Sequence, residues 1–257
     1  LCITRWLKGD PEIYDDIVFP RAIDGALESA ILRLEDRLAE LSGRGTEHFI
    51  QGPNVHQKRL KNSISYYDRF ADEYREGTAH LNLDHLWSQF ISYLPRGGRI
   101  LDAGCGVGRD TRHFIQSGFI VVSIDASWQM VLKCRENPYS YCLWMDFNEL
   151  EYHEEFDAVW SCASLVHTPH DQASNFIDKF ERSVKPGGII FVSVKYAPIL
   201  KSFDKNGRTF YNYDDINYSA LFQTNKHLIL ETMWVSFSER SESNDKVKWL
   251  NIILRKL

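Results

Sequence analysis

Gly98-Arg99-Ile100-Leu101-Asp102-Ala103-Gly104-Cys105-Gly106-Val107-Gly108-Arg109-Asp110 is the stretch on which the fold of this 257-residue chain turns. Arg99 to Leu101 opens a short apolar run of the kind that forms a buried strand. Asp102 stands where that strand should end, and glycines follow at 104, 106 and 108. From Thr111 the pattern becomes helical, through Phe114 and Ile115. Strand, glycine turn and helix is a layout that holds an anionic or polar ligand against bare backbone at a helix N-terminus. A Cβ in the turn would keep such a ligand away and would strain a residue held at positive φ.

The spacing G-x-G-x-G differs from the G-x-G-x-x-G of dinucleotide sites, so the neighbouring elements decide the reading. The next strand, Phe119 to Ile124, runs into Asp125. A carboxylate at that tip is placed to accept hydrogen bonds from ribose hydroxyls. A third strand, Tyr141 to Met145, leads to Asp146 and Phe147, an acid and a ring suited to an adenine. The fourth, Phe156 to Ser161, is opened by Asp157 at the edge remote from the site, where a structural role is expected. Lys185-Pro186-Gly187-Gly188 turns into a fifth strand, Ile189 to Val194. Five strands alternating with helices, then two apolar strands at His227–Phe237 and Val247–Leu254, make an α/β fold with a mainly parallel sheet.

In this order the segments closely resemble the class I S-adenosylmethionine-dependent methyltransferases. The resemblance runs from about Ser65 to the C-terminus. It rests on Asp102-x-Gly104-x-Gly106-x-Gly108, Ser123-Ile124-Asp125-Ala126-Ser127, Met145-Asp146-Phe147, the Phe156 strand and the Gly187-Gly188 turn. It implies a Rossmann-like, doubly wound seven-stranded sheet in the order 3-2-1-4-5-7-6, the last strand antiparallel. It also implies an enzyme with S-adenosylmethionine as cofactor. On that resemblance the first strand and turn supply Asp102, Gly104, Gly106, Gly108 and Arg109. Asp102 would face the cofactor's ammonium end, while Arg109 would meet its carboxylate or sit in an ion pair. The second strand supplies Asp125, Ala126 and Met130, and the next two supply Asp146, Phe147 and Ser161. A helix over 63–76 would cover the pocket, with Tyr67 and Tyr74, beside Tyr66, as lid residues.

Such a cofactor carries its own reactive methyl group, so the protein has mainly to position the reactants and shape the field around them. His167, after the fourth strand, is a candidate either to deprotonate an acceptor or to shape its pocket. An irregular insertion from Lys195 to Asn212 brings basic and aromatic side chains, of which Arg208 and Tyr211, with His167, are the acceptor-binding candidates. Asp171 is placed to cap the helix after the fourth strand, and a further helix is expected over 213–223. No metal site is expected. His167 and His170 lack further ligands, and Cys2, Cys105, Cys134, Cys142 and Cys162 contain no C-x-x-C pair, so they read as free thiols.

Base-amine methyltransferases carry Asp/Asn-Pro-Pro-aromatic after the fourth strand, where this chain has Ser161-Cys162-Ala163-Ser164. Carbon-5 cytosine enzymes use a Pro-Cys nucleophile, whereas Cys162 follows a serine. The net charge of −5 offers no basic footprint for nucleic acid. The reading is therefore methyl transfer to a small-molecule acceptor. The alternatives are a nucleic-acid or protein methyltransferase, or a non-catalytic module that binds S-adenosylmethionine and acts through its N-terminal helix. No apolar run reaches the ~20 residues of a membrane span. Leu1 to Trp6, followed by Lys8, Asp10 and Glu12, does not read as a secretory leader, so a cytoplasmic protein is expected.

Residues 1–62 read as a helical extension and linker ahead of a methyltransferase domain over 63–257. Ile23, Ala26, Leu27, Ala30, Ile31, Leu34, Leu38 and Leu41 form one apolar stripe on a helix over 21–41. A lone amphipathic helix must bury such a stripe against its own domain or against a second copy, which would make a homodimer.

Overall fold

The computed structural model describes residues 63–137, 139–199, 201–203, 208–237 and 247–257. The helix expected over 21–41, its Leu27–Leu34 stripe and the linker lie outside them. The described residues fall within one compact unit, Gln51–Leu257.

Residues 63–69 are helical and lead into α1, Ala71–Glu76. Helix α2, Asp84–Ile91, buries Leu86, Trp87 and Phe90. The strand–turn–helix core then runs β1 (Arg99–Ala103), α3 (Arg109–Gln116), β2 (Ile120–Asp125), α4 (Trp128–Arg135) and β3 (Tyr141–Trp144). It continues through β4 (Phe156–Cys162), α5 (His170–Ser183) and β5 (Val184–Tyr196). A small pair, β6 (Lys201–Phe203) and β7 (Thr209–Tyr211), precedes the long strands β8 (Leu228–Phe237) and β9 (Lys248–Lys256). The main sheet has seven strands in the order β3-β2-β1-β4-β5-β9-β8. Its first five strands are parallel, and β9 runs antiparallel to both β5 and β8. With the β6–β7 hairpin set apart, this is the topology expected from sequence.

Near-continuous apolar runs explain the central strands, because helices cover the sheet and leave its middle without a wet face. Ile100 and Leu101 of β1, Trp160 of β4 and Phe191 of β5 are wholly buried. Trp160 stacks on Phe191 with ring centroids 4.0 Å apart and planes 11° apart. Phe90 and Phe114 close on the same indole at 4.9 and 5.2 Å. This aromatic cluster fixes α2 and α3 against the sheet and so sets where the glycine turn points. Among the described residues no helix is long and apolar enough to cross a membrane.

Several local expectations change. Asp102 lies inside β1 rather than at its end, paired in register with Ser123 and Trp160. The N-cap of α5 is Pro169, so Asp171 sits in the first turn without a capping bond. The expected helix over 213–223 is reduced to a 3-10 turn, Tyr218–Leu221. Asp214 Oδ1 accepts the backbone N–H groups of Ile216 and Asn217, and this local turn competes with helix initiation. The insertion is more regular than its composition suggested. Lys195 and Tyr196 extend β5, and Thr209–Tyr211 pairs with Lys201–Phe203. Asp157 keeps the structural role expected of it, accepting the backbone N–H of Arg99 at 2.7 Å and Lys185 Nζ at 2.8 Å.

Candidate active site

A cavity opens at the C-terminal tips of β1, β2, β3 and β4. Parallel sheets bind ligands there, where strand order reverses from β2 to β4 around β1. One wall is Gly104 and Gly106, with Asp125, Ala126 and Met130 beyond them. Met145, Asp146 and Phe147 continue it. The opposite wall brings Tyr67 and Tyr74 from the N-terminal helices and Cys162 to Ser164, His167 and Thr168 from the loop after β4.

The three glycines do different work. All have positive φ, at 83°, 54° and 78°. A Cβ on Gly104 would stand 2.3 Å from Ser164 Cβ, so this position is glycine because the β4 loop packs on it. A Cβ on Gly108 would meet Asn137 Nδ2 and Cys134 Sγ. Gly106 differs. Its missing Cβ would find only Tyr74, at 3.5 Å, so it bares backbone toward the cavity. Of the three positions, Gly106 is therefore the one where the missing Cβ leaves room for a ligand to approach the backbone.

Asp125 is fixed by two backbone donors: Gly106 N–H to Oδ2 at 2.9 Å and Ser127 N–H to Oδ1 at 2.8 Å. Burial pushes its carboxyl up to about 6, against the pull of those two bonds. Asp146 caps the short turn after β3, accepting Asn148 N–H at 2.8 Å.

Asp102, Gly108, Arg109 and Ser161 are not on the cavity wall. Asp102 is 1% exposed and accepts Thr111 Oγ1–H at 2.6 Å. Burial, reinforced by the nearby Asp110 charge, pushes its carboxyl well above the ordinary range. Arg109 donates from Nε and Nη2 to the two oxygens of Asp110, at 2.7 and 2.9 Å. Asp110 also accepts the indole N–H groups of Trp87 and Trp160, at 3.1 and 2.9 Å. Burial opposes its charge, but Arg109 and these donors bring its pKa below the usual value. Of the two roles open to Arg109, the geometry is that of the ion pair. Ser161 Oγ lies 2.6 Å from Ser164 Oγ and steadies the loop instead of lining the cavity.

The acceptor candidates form a chain of contacts. His167 Nδ1 lies 2.6 Å from the Thr209 carbonyl oxygen, which can only accept, so Nδ1 carries a proton. Nε2 of the neutral ring is then the acceptor for Tyr67 O–H, at 2.9 Å. Arg208 Nη1 donates to the same phenol oxygen at 3.3 Å, and its guanidinium lies 4.1 Å from the centre of the Tyr66 ring. Burial pushes the Tyr67 phenol well above its ordinary pKa. Arg208 and Tyr211 are thus not on the wall, and Arg208 braces the lid that is. His170 Nε2 ties to the Asn212 carbonyl, so both histidines anchor the insertion.

The sequence reading passed over Ser63, Ile64, Met145, Cys162 to Ser164, Thr168 and Phe176 as wall residues. Ala163 carried one readable clue only in hindsight: it holds φ of 56°, a left-handed conformation rare for alanine, which a sequence does not display. Burial pushes the Cys162 thiol up to about 12, which favours its neutral form on the wall.

A sheet in this order, a glycine turn after its central strand and acids at the next two tips define a class I methyltransferase fold and site. Residues 100–188 match the family model described as a methyltransferase domain. YqeM of Bacillus subtilis (strain 168), a methyltransferase by name with no substrate stated, is 33% identical over 137 residues, covering 50% of this chain and 55% of its own length. The malonyl-[acyl-carrier protein] O-methyltransferase of Buchnera aphidicola subsp. Baizongia pistaciae (strain Bp) is 31% identical over 150 residues, 54% of this chain and 59% of that protein. The chain thus spans a little over half the length of these curated relatives. In fold it is similar to the Burkholderia thailandensis 1,6-didemethyltoxoflavin-N1-methyltransferase, solved with bound 1,6-didemethyltoxoflavin and S-adenosylhomocysteine. The TM-score is 0.64 at 16% identity, over 82% of this chain and 99% of that one. Residues 100–188 thus form a methyltransferase domain, in a chain whose fold is that of the class I S-adenosylmethionine-dependent methyltransferases.

Proposed function

We propose that this chain transfers a methyl group from S-adenosylmethionine to a small-molecule acceptor bound beneath the Tyr67–Tyr74 lid. The residues fit the cofactor on three counts. Gly106 bares backbone to the cavity. Asp125 is held by backbone donors with its carboxylate at the wall, suited to ribose hydroxyls. Ser63 Oγ is buried on the same wall with no hydrogen-bond partner among the described residues, a polar atom that a ligand would satisfy. Asp146 and Phe147 suit the adenine end. When bound, S-adenosylmethionine supplies an activated methyl on a sulfonium centre. The protein's own part is to orient the acceptor, exclude water and receive a proton where the acceptor must lose one.

The observation that carries the small-molecule reading is the braced lid. Tyr67 and Tyr74 close the cavity from one side, and Tyr67 is pinned by both His167 and Arg208. A polymer would need an open trough. Of the relatives named above, the one solved with 1,6-didemethyltoxoflavin supports a small acceptor, while the malonyl-[acyl-carrier protein] enzyme takes its acceptor on a carrier protein. The Tyr67–His167 pair is the proton-accepting candidate, since its tautomer leaves a basic nitrogen directed at a hydroxyl on the cavity wall.

Calorimetry tests the cofactor: S-adenosylhomocysteine should bind and NAD should not. A panel of acids, phenols, amines and thiols, read by release of S-adenosylhomocysteine, tests the acceptor. Turnover on tRNA or protein but on no small molecule would sink the proposal. Tight cofactor binding with no turnover on any class would favour a non-catalytic module.

A further inference from the structure

Three thiols that the sequence spaces far apart meet behind the glycine turn. Cys105 belongs to the turn, Cys134 to α4 and Cys142 to β3. Their Sγ atoms all lie within 4.8 Å of one another, and Cys105 and Cys142 approach to 3.4 Å. All are free thiols, at 8%, 0% and 2% exposure. They are free thiols as the sequence led one to expect, and the fold brings a turn, a helix and a strand to one point.

We propose that Cys105, Cys134 and Cys142 form a binding site for one divalent thiophilic cation of the zinc–cadmium class, held by three thiolates. Zinc–thiolate bonds are about 2.3 Å long, so three sulfurs around one ion stand roughly 4 Å apart. The observed separations bracket that spacing, and the sulfurs need to shift by only about 1 Å or less to converge on an ion. Soft sulfur ligands select such cations over magnesium or calcium. Binding forms three metal–sulfur bonds and releases three thiol protons to solvent. A divalent ion then leaves one net negative charge, against two for a monovalent ion. That difference counts here, because Thr111 Oγ1, 3.7 Å from Cys134 Sγ, already donates to the buried Asp102. A fully closed tetrahedral site would need a fourth protein ligand. Two hydroxyls border Cys134, that of Thr111 and that of Ser140, the latter buried, so the fourth position falls to one of these or to a solvent molecule.

The site touches the cofactor wall at two places. Cys105 lies between Gly104 and Gly106, and a Cβ on Gly108 would fall 2.7 Å from Cys134 Sγ. An ion there ties the glycine turn to α4 and β3.

The test uses the full chain, reduced and stripped of metal by a chelator. Cd2+ is titrated while thiolate-to-cadmium ultraviolet absorption is followed, and native mass spectrometry counts the ions. One tight equivalent per chain is expected. Cys134→Ser should weaken it roughly a hundredfold or more. Cys162→Ser, which alters a thiol outside the trio, should leave it unchanged. X-ray absorption on the cadmium-loaded wild type should find three sulfur neighbours, a measurement that needs no variant to fold. Absence of a tight equivalent, fewer than three sulfurs, or an equivalent that survives Cys134→Ser or depends on Cys162 would overturn the proposal.

Discussion

Asp125 should make cofactor affinity and fold stability respond to pH in opposite directions. In the folded chain its carboxyl titrates at about 6, against 3.8 for an unperturbed aspartate. Between those values the folded state holds more protons than the unfolded state, so stability from this group is greatest at low pH and is lost as pH rises through about 6. From pH 7.5 to pH 5 the full shift gives about 1.4 kcal/mol of added stability. Asp125 is only partly buried, so about 1 kcal/mol is the expected gain. Cofactor binding runs the other way. The ionised carboxylate is the form that accepts from two ribose hydroxyls, and at pH 5 only about a tenth of it remains ionised, so affinity should fall about tenfold.

Asp125→Asn separates this group from the rest. Asparagine offers one acceptor oxygen to the two backbone donors that the carboxylate serves separately. That costs about 1–3 kcal/mol at every pH. The pH-dependent part is what identifies Asp125, so the comparison is wild type minus variant at each pH. Urea unfolding of the free protein and calorimetry with S-adenosylhomocysteine, both at pH 7.5 and 5.0, supply the numbers. The wild type should show the opposed trends and the variant neither, with affinity at pH 7.5 already more than tenfold weaker. Wild-type affinity that is flat across this range in a folded protein would refute the argument, as would a variant that keeps the pH dependence.

Gly104→Ala places a Cβ 2.3 Å from Ser164 Cβ at a φ of 83°, and should cost about 2–4 kcal/mol by thermal or chemical unfolding. Asp110→Ala strands the buried Arg109 guanidinium and should cost about 3–5 kcal/mol. Arg109→Ala should cost less, because Asp110 keeps the two indole donors; equal losses in urea unfolding would count against that bonding. Nitrogen NMR should find His167 neutral, with its proton on Nδ1. Tyr67→Phe should then shift the Nε2 resonance and leave Nδ1 in place, and a proton found on Nε2 would contradict the contact network.

Periodicity and the glycine spacing made the sheet legible, because each central strand is apolar on both faces and each ends near a recognisable turn. The strand-tip acids were legible as a set but not one by one. Asp102 and Asp125 occupy similar places in the sequence, each before a turn at the end of an apolar run. Their fates diverge because Asp102 pairs inside the sheet with Ser123 and Trp160, where burial first and the nearby Asp110 charge second push its carboxyl well above the ordinary range. Asp125 reaches the tip and takes backbone donors there. Nothing local encodes that difference. It follows from where α3 lands, and that depends on the packing of Phe90, Phe114 and Trp160.

The acceptor side was less legible for a related reason. Arg208 and Tyr211 were selected for their chemistry, as cation and aromatic near a methyl-transfer centre. In the fold those side chains pack on the protein: Tyr211, in β7, is 6% exposed with its ring edge-on to His170, and Arg208 binds the Tyr66–Tyr67 lid. Beside His167 and Cys162, the residues that face the cavity from this side, Ala163, Ser164 and Thr168, are small and carry no charge pattern to read. Their placement follows from the β4 loop settling onto Gly104, where Ser164 fills the space a side chain would need. Gly104 thus links the two walls. It shapes the cofactor side by its own backbone and the acceptor side by what it allows to pack against it. A substitution there should disturb both walls together, whereas one at Gly106 should disturb the cofactor side alone.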